Sequence, residues 1–398
     1  MTSVDVLQSP GERAQLQPPS RSVRNGFLQG RFVGTPEQMG AQHGELFKDE
    51  IREILAQLNY HVLYGQRGFD GLALRTGART SARLMERRVA SPYRREMAEL
   101  ARAADVPYQD VLLLNCMDDV LANLYRLGEL FGRLGCSAFA VSSDRDGDGA
   151  DDASLICGRN LDYFVPSAVG EDVWAATAYL RDHVLAVEYQ PDGGRSFLSV
   201  GWPGFIGVAT GMNRAGIALG SLTVATRRNW PLATPATFMY RTVLERSDGL
   251  DGATALMRRS SRTQGNNVLV GSGREGRALV AEFTPWDFVI REPDQGRICA
   301  TNHFATPQLV DRNAKGAPFA SVQRLERMGE LCVSGSVDVE AAGAFLTDST
   351  LRTADANEYC ALRNPCTIYS VVFEPSRNTL WLRVADGPDR EFEPVTLG

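Results

Sequence analysis

The pattern of the sequence changes abruptly at Cys136. Upstream of it, residues 35–59, 79–104 and 107–131 carry the apolar spacing of amphipathic helices. Downstream, short β-prone runs dominate, beginning with CSAFAVSS and, after the loop DRDGDGADD, with ASLICGRNLDYF. A helical segment followed by antiparallel strands with helices on the outside predicts a layered α+β architecture.

The part after Cys136 is predicted to contain strands interrupted by a few helices. Strand-like runs lie at 173–180, 184–190, 196–200, 206–210, 215–224, 267–271, 277–284 and 288–291, and 367–373 with 379–385 is predicted to close as a hairpin. Helical stretches lie at 236–247, 251–259, 318–332 and 338–347. These patterns predict three segments: a flexible polar arm over 1–25, a helical segment over 26–135 and a sheet-rich segment over 136–398.

The charge and hydropathy of the chain exclude several kinds of partner. The net charge of −6 arises from 42 basic and 48 acidic residues that are spread along all 398 positions. Because no stretch is basic enough to neutralise a phosphate backbone, nucleic acid is not expected as a partner. The start of the chain does not resemble a signal peptide, and no apolar run is long enough to cross a bilayer. A cytoplasmic protein without membrane contact is therefore expected.

Histidine is scarce, with only His43, His61, His183 and His303. Imidazole is the commonest ligand of transition metals, and the seven cysteines show no close-paired zinc spacing. Neither a metal site nor another cofactor is expected. The same scarcity indicates that a general base in this chain need not be a side chain.

The strongest chemical motif combines Gly135-Cys136 with the run GRNLDY at 158–163. A thiol reacts as the thiolate, and a nearby arginine lowers its pKa. Arg159 and Asp162, at the end of a strand that pairs with the Cys136 strand, could both reach that sulfur. A free α-amine titrates near 7.7–8.0, so an N-terminal cysteine would supply its own general base. From these residues alone, a buried structural cysteine beside a strand-end salt bridge remains an open interpretation.

Freeing that amine requires cleavage of the bond between Gly135 and Cys136. The Cys136 thiol could attack the Gly135 carbonyl and give a thioester that water opens. Glycine at this position would tolerate a strained backbone during the attack. The pattern therefore predicts an inactive precursor, a zymogen, that activates itself by autocatalytic cleavage.

Three further motifs have simpler interpretations. GSGREG at 271–276 satisfies a dinucleotide-binding pattern but lies between two strands, which favours a hairpin turn. The acidic loop at 144–152 copies half of a calcium-binding loop, with Leu155 where the bidentate glutamate belongs, and calcium binding there is left open. Asn302 and His303 are adjacent, so in a strand they would face opposite sides, and His303 is expected to be structural.

Several blocks of the sequence resemble the penicillin acyltransferase family. They are GCSAF, CGRNLDYF, MNRAGIALGSL at 212–222, ATNHF at 300–304 and TIYSVVFEPSRNTLWLRVADGP at 367–388, preceded by GTPEQMGAQHGELFKDEI. The resemblance runs from about residue 30 to the C-terminus, and its more distant relatives are bile-salt hydrolases and acid-ceramidase-like amidases. It implies the four-layer αββα sandwich of N-terminal-nucleophile hydrolases, with a helical propeptide chain that stays bound after cleavage.

The resemblance also implies roles for individual residues. Cys136 matches the cysteine that becomes the N-terminal nucleophile, and Asp162 matches the aspartate that holds this residue and its α-amine. Arg159 matches an arginine of the bile-salt-hydrolase and ceramidase branches, where the penicillin enzyme has glutamine. Asn302 matches the asparagine that hydrogen-bonds the tetrahedral intermediate, a kind of contact worth about 3–4 kcal/mol.

Other positions depart from the family or are assigned only to substrate binding. Thr223 stands where relatives carry an asparagine or glutamate that helps to bind the substrate carbonyl. Arg363 is the nearest counterpart of a C-terminal arginine of the penicillin enzyme. Tyr163 and Trp202, together with Phe164, are candidates to line an acyl pocket, because ligand pockets are mostly apolar.

The predicted function is cleavage of a C–N amide bond in a small acylated amine or peptide, through an acyl-thioenzyme on Cys136. The acyl group and the amine are left open, and so is the choice between hydrolysis and transfer of the acyl group to a second amine. A non-catalytic or calcium-stabilised binding protein on the same fold is a further alternative. The expected partners are the small-molecule substrate and the two chains produced by cleavage.

Overall fold

The computed structural model describes residues 18–58, 69–124, 135–142, 155–163, 175–333, 337–384 and 391–398. The helices within these ranges are α1 Pro36–Leu46, α2 Lys48–Leu58, α3 Phe69–Glu86, α4 Ser91–Ala104, α5 Tyr108–Asn115, α6 Met117–Leu124, α7 Ala175–Asp182, α8 Ala236–Arg246, α9 Leu250–Arg259, α10 Phe319–Cys332 and α11 Val339–Leu346. The strands are β1 Ser20–Arg24, β2 Phe27–Gly34, β3 Cys136–Ser142, β4 Leu155–Asp162, β5 Leu185–Pro191, β6 Phe197–Gly201, β7 Thr210–Asn213, β8 Ile217–Val224, β9 Gly265–Ser272, β10 Arg277–Phe283, β11 Phe288–Arg291, β12 Arg297–Ala300, β13 Thr367–Glu374, β14 Thr379–Val384 and β15 Glu393–Thr396.

The strands form two sheets. One has nine strands in the order β1-β2-β5-β6-β7-β8-β9-β10-β11, and the other has six in the order β12-β3-β4-β13-β14-β15. Neighbouring strands pair antiparallel, as between β3 and β4, except that β2 pairs parallel with β5. Most of the antiparallel pairs join strands that are close in sequence, which is why their hairpins are visible in the sequence pattern.

The two sheets pack face to face between two layers of helices. Along β9, Leu269 faces the six-stranded sheet, whereas Val268 and Val270 pack against the helices on the other side. Along β3, Ala138 faces the nine-stranded sheet, and Phe139 packs into the cluster formed with α10 and α11. Both faces of each sheet are thus covered, which explains the nearly continuous apolar runs in these strands. The predicted four-layer αββα sandwich is confirmed.

The segment before Cys136 is less purely helical than the sequence predicts. β1 occupies residues 20–24 within the expected arm, and β2 adds a second strand to the nine-stranded sheet. Residues 1–17 of that arm lie outside the described ranges. The partner of β2 is β5, more than 150 positions later in the chain, so no local pattern could identify this pairing.

The segment 173–180 is a second correction, because residues Ala175–Asp182 form helix α7 rather than a strand. A short apolar segment fits both a strand and a helix pattern, but three of the eight residues of α7 are alanine, and alanine has the strongest helix propensity. The predicted helices at 236–247, 251–259, 318–332 and 338–347 are confirmed within about two residues. The predicted strand at 206–210 is displaced to Thr210–Asn213.

Buried polar contacts join the segment before Cys136 to the remainder of the chain. Arg241 of α8 is fully buried, binds Glu96 of α4 at 2.7 Å and binds Glu245 at 2.9 Å. The Asn115 side chain at the end of α5 donates to the Gly204 carbonyl at 2.9 Å and accepts from the Ile206 N–H at 2.8 Å. The helices before Cys136 therefore share one core with the sheets after it.

Candidate active site

Cys136 is the first residue of β3 and lies between the two sheets. It pairs with Leu161 of β4, and its side chain is buried. Its backbone N–H donates a hydrogen bond to Asn302 Oδ1 at 2.5 Å. The nitrogen that cleavage would convert into an α-amine is thus already held by a side chain from a distant segment.

The surroundings of the Cys136 sulfur have opposing effects on its ionisation. Burial raises the pKa of the thiol, and the Asp162 carboxyl adds to this effect. Two groups lower the pKa of the thiol: the positive charge of Arg159, whose Nη2 lies 3.8 Å from the sulfur, and the backbone N–H of Asp162. By comparison, burial alone raises the pKa of Cys157 to about 12. Cys136 therefore has stabilisers of its thiolate that Cys157 lacks.

Arg159 is buried and bonds mainly to neutral acceptors. Nη1 donates to the Ala209 carbonyl at 2.8 Å and to the Thr210 hydroxyl, and Nη2 donates to the Ser221 carbonyl at 2.6 Å. A Cβ on Gly220 would lie 3.0 Å from Arg159 Cδ, so glycine leaves room for the arginine stem between the sheets. The guanidinium is thus held by hydrogen bonds to neutral groups, and its charge lowers the pKa of the Cys136 thiol and of the Asp118 and Asp162 carboxyls.

Asp162 ends β4, one position after the partner of Cys136. Its carboxylate accepts hydrogen bonds from Asn364 Nδ2 and from the Thr367 hydroxyl, both at 2.8 Å. Burial raises its pKa to about 6, against the lowering effect of the charge on Arg324 and of the two hydrogen bonds. The side chain is therefore fixed by neutral donors, while the backbone N–H of Asp162 points to the Cys136 sulfur.

Asn302 lies in a bend after β12, not in the strand that the sequence suggested. Its Oδ1 accepts from the Cys136 N–H and from Arg324 Nη2 at 3.0 Å, and its Nδ2 donates to the Thr223 carbonyl at 2.9 Å. Because Oδ1 accepts two hydrogen bonds and Nδ2 donates one to a carbonyl, the orientation of the Asn302 amide is determined. In this arrangement Asn302 fixes the Cys136 nitrogen, and its role as an oxyanion donor remains a prediction.

Arg324 is a site residue that the sequence analysis missed. It lies on α10, is 3% exposed, donates to the Tyr359 carbonyl at 2.9 Å and contacts Asn302. The residues of α10 at positions 321, 324, 328 and 332 are all buried and follow helical spacing. A buried charged residue is unusual, but no signal in the sequence indicated it, because the buried stripe begins with Ser321 whereas the apolar Val322 and Leu325 are only partly buried.

The Arg324 guanidinium also packs against Gly135. A Cβ on Gly135 would lie 2.7 Å from Arg324 Nη2 and 2.8 Å from its Cζ. Glycine at this position therefore leaves space for the guanidinium beside the bond predicted to be cleaved. The predicted role of glycine in tolerating backbone strain during the attack remains a prediction.

The residues predicted to bind substrate are distributed around this centre. Thr223 contributes its backbone carbonyl to Asn302. The rings of Tyr163 and Trp202 lie 6.4 Å apart between centroids, and the Trp202 indole donates to the Leu180 carbonyl at 2.8 Å. Phe164 lies outside the described residues.

Arg363 lines a cavity of about 530 Å³ instead of contacting Cys136. Asn364 and Thr367, which bind Asp162, line the same cavity. Cys136 is not part of its wall, so the cavity approaches the site from the side of Asp162. The structure thus brings Cys136, Arg159, Asp162 and Asn302 together and leaves Arg363 outside this group.

The remaining sequence motifs are also located. His303 contacts Ser321 Oγ at 2.8 Å through Nδ1, and burial lowers its pKa, as fits a structural histidine. GSGREG at 271–276 is the hairpin turn between β9 and β10. The acidic loop at 144–152 lies outside the described residues.

Within the described ranges, no three His, Cys, Asp or Glu side chains cluster as metal ligands would, and no helix has the length and apolarity of a membrane span.

A curated relative matches most of this chain in sequence. An uncharacterized protein of Archaeoglobus fulgidus is 28% identical over 356 residues, which cover 79% of this chain and 57% of the relative. The chain thus spans little more than half the length of that curated relative.

Two solved structures are similar at low identity. An N-acylethanolamine-hydrolyzing acid amidase ortholog of Caenorhabditis elegans has a TM-score of 0.43 and 17% identity, covering 61% of this chain and 93% of its own. A mutant of conjugated bile acid hydrolase from Clostridium perfringens has a TM-score of 0.41 and 11% identity, covering 65% and 92%.

A family model also matches the chain. The family model described as acyl-coenzyme A:6-aminopenicillanic acid acyl-transferase matches residues 150–389, more than half of the chain. The match includes Arg159, Asp162 and Asn302 and most of both sheets. The chain therefore belongs to the acyl-coenzyme A:6-aminopenicillanic acid acyl-transferase family.

Proposed function

We propose that this chain is a cysteine amidohydrolase of the N-terminal-nucleophile type, which activates itself by cutting between Gly135 and Cys136. One observation carries the proposal: the Cys136 nitrogen is bonded to Asn302 Oδ1 while its sulfur lies 3.8 Å from the Arg159 guanidinium. A structural cysteine would need neither contact. Family membership supports acyl transfer or amide hydrolysis as the type of reaction.

In the proposed cleavage, Cys136 Sγ attacks the carbonyl carbon of Gly135. The new C–S bond replaces the C–N bond, and the nitrogen of Cys136 takes up a proton and leaves as an amine. Water then opens the thioester and leaves a carboxylate on Gly135 and a free thiol on Cys136. Arg324 lies against Gly135, so its charge is near the oxygen that becomes negative during the attack.

In turnover, the free α-amine of Cys136 acts as the general base, since such amines titrate near 7.7–8.0. The thiolate, stabilised by Arg159, attacks the carbonyl of an acylated amine. The amine leaves with the proton, and water hydrolyses the acyl-thioenzyme. Asn302 keeps the α-amine in place, and its Nδ2 carries a second N–H besides the one bonded to Thr223.

The fragments 1–135 and 136–398 are expected to remain together after cleavage. Arg241, fully buried after the cleavage point, binds Glu96, fully buried before it. Separation would expose this charged pair and the apolar core that both fragments share. The mature form is therefore proposed to be a two-chain protein, and a cytoplasmic location remains part of the proposal.

Acyl transfer is the second candidate, and family membership favours keeping it. Hydrolysis and transfer differ only in whether water or an amine opens the acyl-thioenzyme. Incubation with a labelled acyl donor and candidate amines separates them, because only transfer yields a labelled new amide. A non-catalytic binding protein would yield neither a free labelled acid nor a labelled amide. If it were stabilised by calcium, its thermal unfolding midpoint would rise when calcium is added.

The test of the proposal is intact-mass analysis of the purified wild type, Cys136→Ala and Cys157→Ala. Cys157 is a matched control because it is also buried between the sheets but has only burial acting on the pKa of its thiol. Fragments 1–135 and 136–398 are expected in the wild type and in Cys157→Ala, and an intact chain in Cys136→Ala. An intact wild type, or cleavage in Cys136→Ala, would contradict self-cleavage by this thiol.

A further inference from the structure

Two cysteines outside the candidate active site lie side by side. Cys299 of β12 and Cys332, the last residue of α10, have their Sγ atoms 3.8 Å apart. Both are free thiols. A disulfide requires an S–S distance of about 2.05 Å, so side-chain movements of less than about 2 Å would join them.

The two thiols differ in accessibility. Cys332 is 1% exposed and lies in an apolar cluster with Met328 and Phe345. Its contact with Cys299 and its burial raise the pKa of Cys332. Cys299 is partly exposed at the edge of the same cluster. A dissolved oxidant would therefore meet Cys299 first, and Cys332 would be the thiol that resolves the product.

The pair lies between the two elements that deliver Asn302 and Arg324. β12 ends at Ala300, two residues before Asn302, and α10 carries Arg324. Near the site, this strand end and this helix are already joined, because Ser321 Oγ accepts from the Asn302 N–H at 2.9 Å. A covalent bond at Cys332 would join the other end of α10 to the same strand.

We propose that Cys299 and Cys332 form a redox-active dithiol whose oxidation to a disulfide fixes α10 against β12. With a small-molecule disulfide as oxidant, the Cys299 thiolate attacks one sulfur of the oxidant and releases one thiol. Cys332 then attacks the Cys299 sulfur and releases the second thiol, so the two cysteines lose two electrons and two protons and the oxidant gains them. Any consequence of this bridge for self-cleavage or turnover, through the positions of Asn302 and Arg324, rests on the proposed function. Formation of the disulfide itself does not.

The experiment exposes the folded full-length chain to oxidised glutathione at pH 8 and then counts thiols after unfolding. The chain has seven free cysteines, and oxidation is expected to leave five, with Cys299 and Cys332 joined in the mapped peptides. The thermal unfolding midpoint should rise by a few °C and return after reduction. Cys299→Ser and Cys332→Ala should not form the bridge, and Cys360→Ser, a buried cysteine elsewhere, should still form it.

Retention of all seven thiols would overturn the proposal, and so would glutathione remaining on Cys299 or a bridge mapped to another pair. If Cys332→Ala unfolds because loss of the buried sulfur leaves a cavity, the partly exposed Cys299→Ser variant still tests the bridge. Intact mass is recorded on the same samples. A bridge without chain cleavage supports the dithiol and contradicts the proposed function. Chain cleavage without a bridge supports the proposed function and contradicts the dithiol.

Discussion

Replacement of Gly135 by alanine tests whether self-cleavage depends on the contact between this residue and Arg324. The added Cβ would lie 2.7 Å from Arg324 Nη2, where ordinary contact begins at 3.4 Å. The guanidinium must therefore move by about 0.7 Å, away from its 3.0 Å bond to Asn302 Oδ1. That oxygen also holds the Cys136 N–H, so the disturbance reaches the bond to be cut.

The size of the effect follows from the hydrogen bond at risk. A hydrogen bond to a charged group contributes about 1.5–3 kcal/mol, and each ~1.4 kcal/mol changes a rate about tenfold. Gly135→Ala is therefore expected to slow cleavage by roughly 10–100-fold. The assay is cell-free translation followed by a timed chase, with the intact fraction measured on a denaturing gel.

Gly329→Ala is the matched control, because Gly329 lies on the same helix as Arg324 and a Cβ there meets nothing within 4 Å. This variant should cleave at the wild-type rate and be more stable by about 0.5–1 kcal/mol, since alanine is the better helix former. If Gly135→Ala folds and cleaves within about a factor of two of the wild type, then space for Arg324 is not what Gly135 provides. Absence of cleavage in the wild type would instead refute the proposed function.

Two further predictions concern stability and are measured by urea unfolding of the intact Cys136→Ala chain. Adding Arg241→Met leaves the carboxylate of Glu96 buried without its partner, so the free energy of unfolding should fall by about 3–5 kcal/mol. As a control, Arg195→Met breaks an exposed ion pair and should lower the free energy of unfolding by less than about 1 kcal/mol. Equal losses in the two variants would contradict the argument. The pKa of Asp162 is raised from 3.8 to about 6 in the folded state. Between about pH 4 and 6 the folded state therefore binds more protons than the unfolded state. The free energy of unfolding is then expected to fall by roughly 3 kcal/mol as the pH rises through this range. Asp162→Asn should flatten this part of the pH profile, and parallel profiles would show that Asp162 does not titrate there.

The order of elements was largely predictable because most strands pair with near neighbours. The helices over 318–332 and 338–347 and the hairpin of β13 and β14 follow from local periodicity and turn residues. The parallel pairing of β2 with β5 was not predictable, since its energy depends on residues far apart in the chain. Helix α7 was mistaken for a strand because short apolar segments fit both patterns.

The candidate site, like the fold, was predictable only in part. The sequence by itself determined the chemical elements of the site: a cysteine at the start of the strand-rich segment, with an arginine and an aspartate three residues apart on the strand that pairs with it. Antiparallel pairing of β3 with β4 makes that juxtaposition local. Only the tertiary structure decided which distant groups complete it. Arg324 on α10 reaches Asn302 and Gly135 because the outer helix layer packs against the sheet at that point. Such contacts depend on how layers pack across the core, and sequence periodicity records only that a face is buried.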